Sequence, residues 1–300
     1  MYRNILVPVD GSSLSEYAIP FALEIARRAK GRVRLLRAMP ESLIVTDIPV
    51  SIQASARKLA QGEVDRLIKA YGGAEVPLDA EVRIGFPVEE IKRAATKADL
   101  IVMTTHGRGG VQRWVMGSVA DKIIRLAAKP VLAIHPPMKR TRATAEAAAL
   151  RMFRDAMVSL DGSPVAGQAL RELKQFADGG TRIHIVRVVA RNATVAMRDL
   201  AESDLKDAAS GLVARGVNVV QSVEKNDSPA EAIVDYALRK GCGVIVMSTR
   251  GAGGVERWIL GGVTDKVVRH GPTPVLVIRA SRALWKNGKR PLGARNVVVV

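Results

Sequence analysis

Two glycine loops and two aspartates are the residues of this chain whose types and spacing could do chemistry. From Ile101 the sequence reads IVMTTHGRGGVQRWVMGSVADKIIRLAAKPVLAI, and from Ile245 it reads IVMSTRGAGGVERWILGGVTDKVVRHGPTPVLVI, with 19 of 34 positions identical and no gap. Glycine lets a main chain approach a ligand closely. In the first copy nine residues separate Gly107 from Gly117, and Ser118 stands where the next helix opens. Helix-opening N–H groups and the helix dipole favour an anion at such a place, and the serine adds a hydroxyl donor. Upstream, ILVPVDGSS and MVSLDGSP put Asp10 and Asp161 at equivalent positions, each ending the first strand of its half. This combination points to an anion or nucleotide pocket. A plain structural reading stands beside it, in which Ser118 and Asp121 cap a helix and the glycines serve only positive φ. The spacing matches neither GxxxxGK[ST] nor GxGxxG, since GRGGVQ lacks the last glycine.

Positioning these loops takes a repeated set of elements, and similarity within one chain indicates duplication of a folding unit. Each half opens with an apolar strand and a polar turn. An amphipathic helix follows, with Ala18, Ala22, Ile25 and Ala26 or Ala169, Leu173 and Phe176 on one face. RVRLLRAMP from Arg32 and RIHIVRVVA from Arg182 read as second strands, and EVRIG from Glu81 and NVVQSVEK from Asn218 as third strands. Pro87 and Pro229 then suit a helix start. IVM is the fourth strand of each half, and PVLAI and PVLVI supply the fifth. Alternating strands and helices argue for an α/β fold: two tandem five-stranded parallel, doubly wound, Rossmann-like domains. The expected boundaries are 1–137 for the first domain, 138–152 for a linker that becomes helical, 153–279 for the second domain and 280–300 for a basic tail. The stretch from Met39 to Ala60 has no close counterpart in the second half. In such sheets ligands collect beyond the carboxyl ends of the strands, where strand order reverses, which would bring Asp10 beside the loop after Thr104.

A net charge of +17 attracts phosphates, nucleic acids and anionic membranes alike. Aromatic residues are only 4%, little material for base-stacking platforms, so a nucleic-acid binder ranks third among the functional readings. Cys242 is the single cysteine and is expected to be a small buried residue. The chain has no basic-then-apolar leader and no 18-residue apolar run, and a cytoplasmic protein without a membrane span is expected. His135, His184 and His270 lack metal-ligand spacing. His106 has no recognisable nucleophile beside it, and Trp114 and Trp258 share a repeat position suited to anchoring a loop or interface. No catalytic residue is assigned.

The combination of ILVPVDGS, THGRGG, the nine-residue spacing, GSV and a closing KPVLAI resembles the universal stress protein family, over roughly Met1 to His135 and Phe153 to Arg279. The resemblance is to tandem members. ATP-binding members carry Gly, two residues, Gly, nine residues, Gly, then Ser or Thr; here Thr104 takes the first glycine's place while Gly107, Gly117 and Ser118 match. The resemblance implies ATP, and Asp10 could help hold Mg2+ through the nucleotide's phosphate oxygens. Asp10 would meet the adenosine part, with Pro8 and Val9 before it among the binding residues, the backbone at Ala38 the base, Met103 and Thr104 the ribose side, and Gly107, Gly117, Ser118 and Val119 the phosphates; Arg108, next to Gly107, is the basic residue best placed to join them. In the second half the counterparts are Asp161, Val188, Met247, Ser248, Arg250, Gly251, Gly261, Gly262 and Val263. Gly262 there removes a hydroxyl worth on the order of 1 kcal/mol, so the first domain is expected to bind ATP and the second more weakly or not at all. The leading reading is an ATP-binding stress-response regulator. The alternative is an interaction module that keeps the fold without nucleotide, for which Thr104, Ser248 and Gly262 speak. Relatives of each half pair through the last strand, which implies an intramolecular pseudo-dimer, with further homodimerisation open.

Overall fold

The structure, a computed structural model, describes residues 2–40, 50–105, 116–163, 166–176, 180–249 and 260–279, without the side chains of 50–53. It divides into two compact units between Leu150 and Arg151. His106, Gly107, Arg108, Trp114, Arg250, Gly251, Trp258 and the basic tail lie outside the described residues.

In unit 1 the chain runs β1 (Asn4–Val9), α1 (Ser13–Glu16), α2 (Ile19–Ala29), β2 (Arg32–Met39), α3 (Val50–Tyr71), β3 (Leu78–Ile84), α4 (Pro87–Ala95), β4 (Leu100–Thr104), α5 (Ser118–Leu126), β5 (Val131–Ile134) and α6 (Arg142–Arg151). Its strands are all parallel in the order β3-β2-β1-β4-β5. β4 and β5 are buried along their whole length, as near-continuous apolar strands of a sheet covered on both faces must be. α2 packs Ile19, Ala22, Ile25, Ala26 and Ala29 into the core. It closes with Lys30 in the left-handed region, and the Gly31 amide reaches back to Ala26 O at 2.8 Å. α4 begins at Pro87, whose missing N–H costs nothing at a first helical position. β3 starts three residues before EVRIG, because Val33 of β2 offers Leu78 a ladder partner that local sequence does not reveal. The latter part of the unmatched Met39–Ala60 stretch forms the first turns of α3.

The segment after β5 turns helical at Arg142, as its alanine content favours. α6 docks on unit 1 through buried Ala145 and Ala149. Arg142 donates to the Ala70 carbonyl and stacks 4.6 Å from the Tyr71 ring centre.

Unit 2 contains β6 (Asp155–Ser159), α7 (Ala166–Leu173), β7 (Arg182–Val189), α8 (Val195–Val213), β8 (Asn218–Lys225), α9 (Pro229–Lys240), β9 (Val244–Ser248), α10 (Gly262–His270) and β10 (Val275–Ile278). The parallel order β8-β7-β6-β9-β10 repeats that of unit 1. The chain is therefore a tandem pair of doubly wound α/β domains. No helix among the described residues is long and apolar enough to cross a membrane.

One feature of unit 2 was invisible in the spacing of its histidines. His184 is buried in β7, with Nδ1 3.0 Å from the Tyr236 hydroxyl and Nε2 3.1 Å from Asp155 Oδ1. Arg182 donates to the same carboxylate oxygen at 3.2 Å. Cys242 is buried nearby, and burial, reinforced by the Asp155 charge, pushes its thiol up to about 12. The thiolate is the reactive form. Native protein at pH 8 is therefore expected to show almost no reaction with a thiol-specific chromogen, with one equivalent appearing on denaturation; rapid native labelling would contradict the burial.

Candidate functional site

The strand order reverses between β1 and β4 in unit 1, and between β6 and β9 in unit 2, so a crevice opens beyond their carboxyl ends. The ladders that border it differ in length between the units for a reason written in one residue. The β6–β9 ladder runs through Ala156↔Val244, Met157↔Ile245 and Val158↔Val246. The β1–β4 ladder runs through Ile5↔Leu100 and stops at Leu6↔Ile101. A third rung, at Val7, would need the amide of the residue after it, and that residue is Pro8, which has none. Ser159 stands at the same place in unit 2. Proline inside a central strand thus ends the β1–β4 ladder one residue earlier than the β6–β9 ladder.

Asp10 sits on the lip of that crevice. Its Oδ1 accepts from the Ser12 amide at 2.9 Å and the Ser12 hydroxyl at 2.5 Å, while its own amide donates to Ser15 Oγ at 3.2 Å. Gly11 takes φ +81° to make the turn, and Ser12 caps α1 by accepting from the Ser15 amide. The carboxylate is held in one orientation by its own turn. Asp161 repeats the turn: Ser163 N–H donates to Oδ1 at 2.9 Å, and Gly162 has the same φ of +81°. Asp161 is exposed where Asp10 is half-buried.

Both glycine loops are closed at their base by the same clip. Gly117 N–H donates to Thr105 O, and Gly261 N–H to Thr249 O, each at 2.8 Å. The clip fixes where α5 and α10 begin, because Gly117 and Gly261 are their N-caps. Since the Gly117 amide is engaged, the first-turn donors that α5 presents are those of Ser118, Val119 and Ala120, which have no intrahelical acceptor. Ser118 is exposed and Val119 half-buried, while Met103 and Thr104 are buried at the end of β4. In unit 2, Met247 and Ser248 are buried likewise, Gly262 is exposed and Val263 half-buried. The Thr264 hydroxyl, at the place of Ala120, donates inward to Ser248 O at 3.0 Å. A Cβ added at Gly262 would meet nothing within 4 Å. Gly262→Ser is therefore expected to leave the fold intact and raise any ATP affinity of unit 2 several-fold, read by calorimetry in an Asp10→Asn background; no gain would show that the hydroxyl is not the limiting difference.

Ala38 is the first residue of β2 beyond its last β1 partner, since β1 ends at Val9↔Arg37 and β2 continues against β3. Val188 is its counterpart in the repeat, two residues beyond Val186, the last β7 partner of β6, and is half-buried. Beside them the structure brings two residues that the sequence reading passed over. Arg37 pairs with Glu63 of α3 at 2.8 Å, and Arg187 pairs with Asp204 of α8. They occupy equivalent positions in RVRLLRAM and RIHIVRVV, and that coincidence was the available signal. Among the described residues no group of histidine, cysteine and acids could hold a metal ion.

The model of the universal stress protein family matches residues 1–135 and 152–279. The chain belongs to this family. A universal stress protein of Methanocaldococcus jannaschii is 34% identical over 46% of this chain and 85% of its own length. One of Mycobacterium bovis is 24% identical and spans 92% of this chain and 95% of its own, so the tandem form extends to family members of similar length. Among solved structures, a universal stress protein from Archaeoglobus fulgidus superposes with a TM-score of 0.71 at 22% identity, covering 94% of this chain and all of its own, which shows the same fold. Family membership accounts for the duplicated fold, and the crevice geometry bears on what each copy can hold.

Proposed function

We propose that this universal stress protein is an ATP-binding regulator whose competent site lies in unit 1. The observation that carries this reading is the convergence, at one switch point, of the oriented Asp10 carboxylate, the β1–β4 ladder cut short by Pro8 and the first turn of α5 clipped to Thr105. The residues present suit the nucleotide. Asp10 would take ribose hydroxyls, the Ala38 backbone the base, and the Ser118 hydroxyl with the amides of Ser118, Val119 and Ala120 the phosphates. Gly107 is assigned to the phosphates by family resemblance, and Arg108 by its charge and its place beside Gly107 in sequence. Bound ATP would bring a polyphosphate charge, with Mg2+ on its oxygens; the chain's part is to orient it.

Unit 2 is proposed as the weaker site. Its ladder is one rung longer, Asp161 is exposed where Asp10 is half-buried, and Gly262 offers no hydroxyl. The alternative, an interaction module that keeps the fold without nucleotide, draws on Thr104 and Ser248 in the place of the motif's first glycine and on Gly262. The test is calorimetric titration of the full chain with ATP, GTP and cAMP, repeated with Ser118→Ala. ATP affinity is expected to fall about tenfold, the value of one hydrogen bond to a charged group. Unchanged affinity would remove the phosphate assignment.

A further inference from the structure

We propose that Arg37 is a positioning residue for base recognition, holding the Ala38 carbonyl so that unit 1 takes a 6-aminopurine and rejects a 6-oxopurine. The inference rests on the nucleotide-binding reading above and adds to it a residue that touches no ligand.

Gly85 N–H donates to Met39 O at 2.9 Å, so the main-chain groups of Met39 face β3. Alternation along a strand turns those of Ala38 the other way, towards β1. β1 has no residue paired with Ala38, because the chain leaves the sheet at Asp10. The Ala38 carbonyl therefore looks past the end of β1 along the crevice. It accepts from Arg37 Nη1 at 3.1 Å, while Arg37 Nε is anchored on Glu63 Oε2 at 2.8 Å. The Arg37 side chain is only 11% exposed. A planar guanidinium gripped by a carboxylate on α3 is a rigid bracket, which a flexible ammonium could not replace.

A carbonyl has two acceptor positions. With one filled by Arg37, the oxygen is fixed in direction and keeps a second for a donor. The exocyclic amine of adenine supplies that donor; the 6-oxygen of guanine would oppose it acceptor to acceptor, a mismatch that buried polar sites reject strongly. The bracket is duplicated with a difference. Arg187, 16% exposed and paired with Asp204, rests its guanidinium against Gly162, where an added Cβ would lie 3.1 Å from Nη1. In unit 2 the arginine thus braces the turn of Asp161 rather than a strand-end carbonyl.

The experiment uses the full chain, with ATP, GTP and inorganic tripolyphosphate titrated into the parent protein, Arg37→Met and Arg37→Lys. Arg37→Met is expected to lower ATP affinity about tenfold, to bring the ATP:GTP affinity ratio close to one, and to leave GTP and tripolyphosphate binding unchanged. Arg37→Lys, which keeps the charge without the fork, is expected to lose about threefold in the same ratio and serves if Arg37→Met does not fold. A folded variant with the parent ratio, or one that loses ATP and GTP in parallel, overturns the proposal. A parent protein that binds no ATP removes the nucleotide reading itself, before any arginine is changed.

Discussion

Asp10→Asn is expected to weaken ATP binding by about tenfold while leaving the melting temperature of unit 1 almost unchanged. Asparagine keeps an Oδ1 that can accept from the Ser12 amide and hydroxyl, so the turn with Gly11 at φ +81° survives. What it removes is the negative charge. A hydrogen bond to a charged group contributes about 1.5–3 kcal/mol against about 1 for a neutral one, and the difference corresponds to roughly a factor of ten. The same exchange at Asp161 is expected to move the affinity of the full chain little. Isothermal titration reads both variants, and a large loss at Asp161 with none at Asp10 would reverse the assignment of the units.

Gly31→Ala is expected to cost about 3 kcal/mol and to lower the unit 1 melting temperature by on the order of 10 °C. The reason is contact with main chain. A Cβ at Gly31 would lie 2.4 Å from Arg3 O and 2.7 Å from Arg3 Cα, and that carbonyl already accepts from Arg32 N–H at 2.7 Å. Neither backbone can withdraw without breaking the first rung between β1 and β2. Gly62→Ala is the contrasting control: it lies within α3 with nothing within 4 Å, and helix propensity predicts stabilisation by about 0.5–1 kcal/mol. Scanning calorimetry distinguishes the two, and equal melting temperatures would refute the close approach at Gly31.

Several of these arguments were legible in the sequence. The alternation of apolar strands with helices, Pro87 and Pro229 at helix starts, and the equivalence of Asp10 with Asp161 all follow from local patterns that a duplicated unit states twice. The unread parts depend on residues far apart in sequence. Arg37 looks like one charge in an apolar strand until Glu63, 26 residues on, is folded against it. His184 looks like a polar interruption of β7 until Tyr236, 52 residues on, reaches its Nδ1. Pro8 was noted as part of a family motif, but its effect on the sheet required the ladder of unit 2 for comparison, where Val158↔Val246 supplies the missing rung. The engaged Gly117 amide was equally hidden, because a glycine's partner cannot be read from its spacing.

Hydrogen exchange with and without ATP, read by mass spectrometry on the full chain, tests the central claim most directly. Added protection is predicted in peptides covering Asp10 to Ser15 and Gly117 to Ala120, with a smaller change or none in those covering Asp161 to Ser163 and Gly261 to Val263. Protection absent from both unit 1 segments under saturating ATP, or confined to the amino ends of the strands, would contradict it.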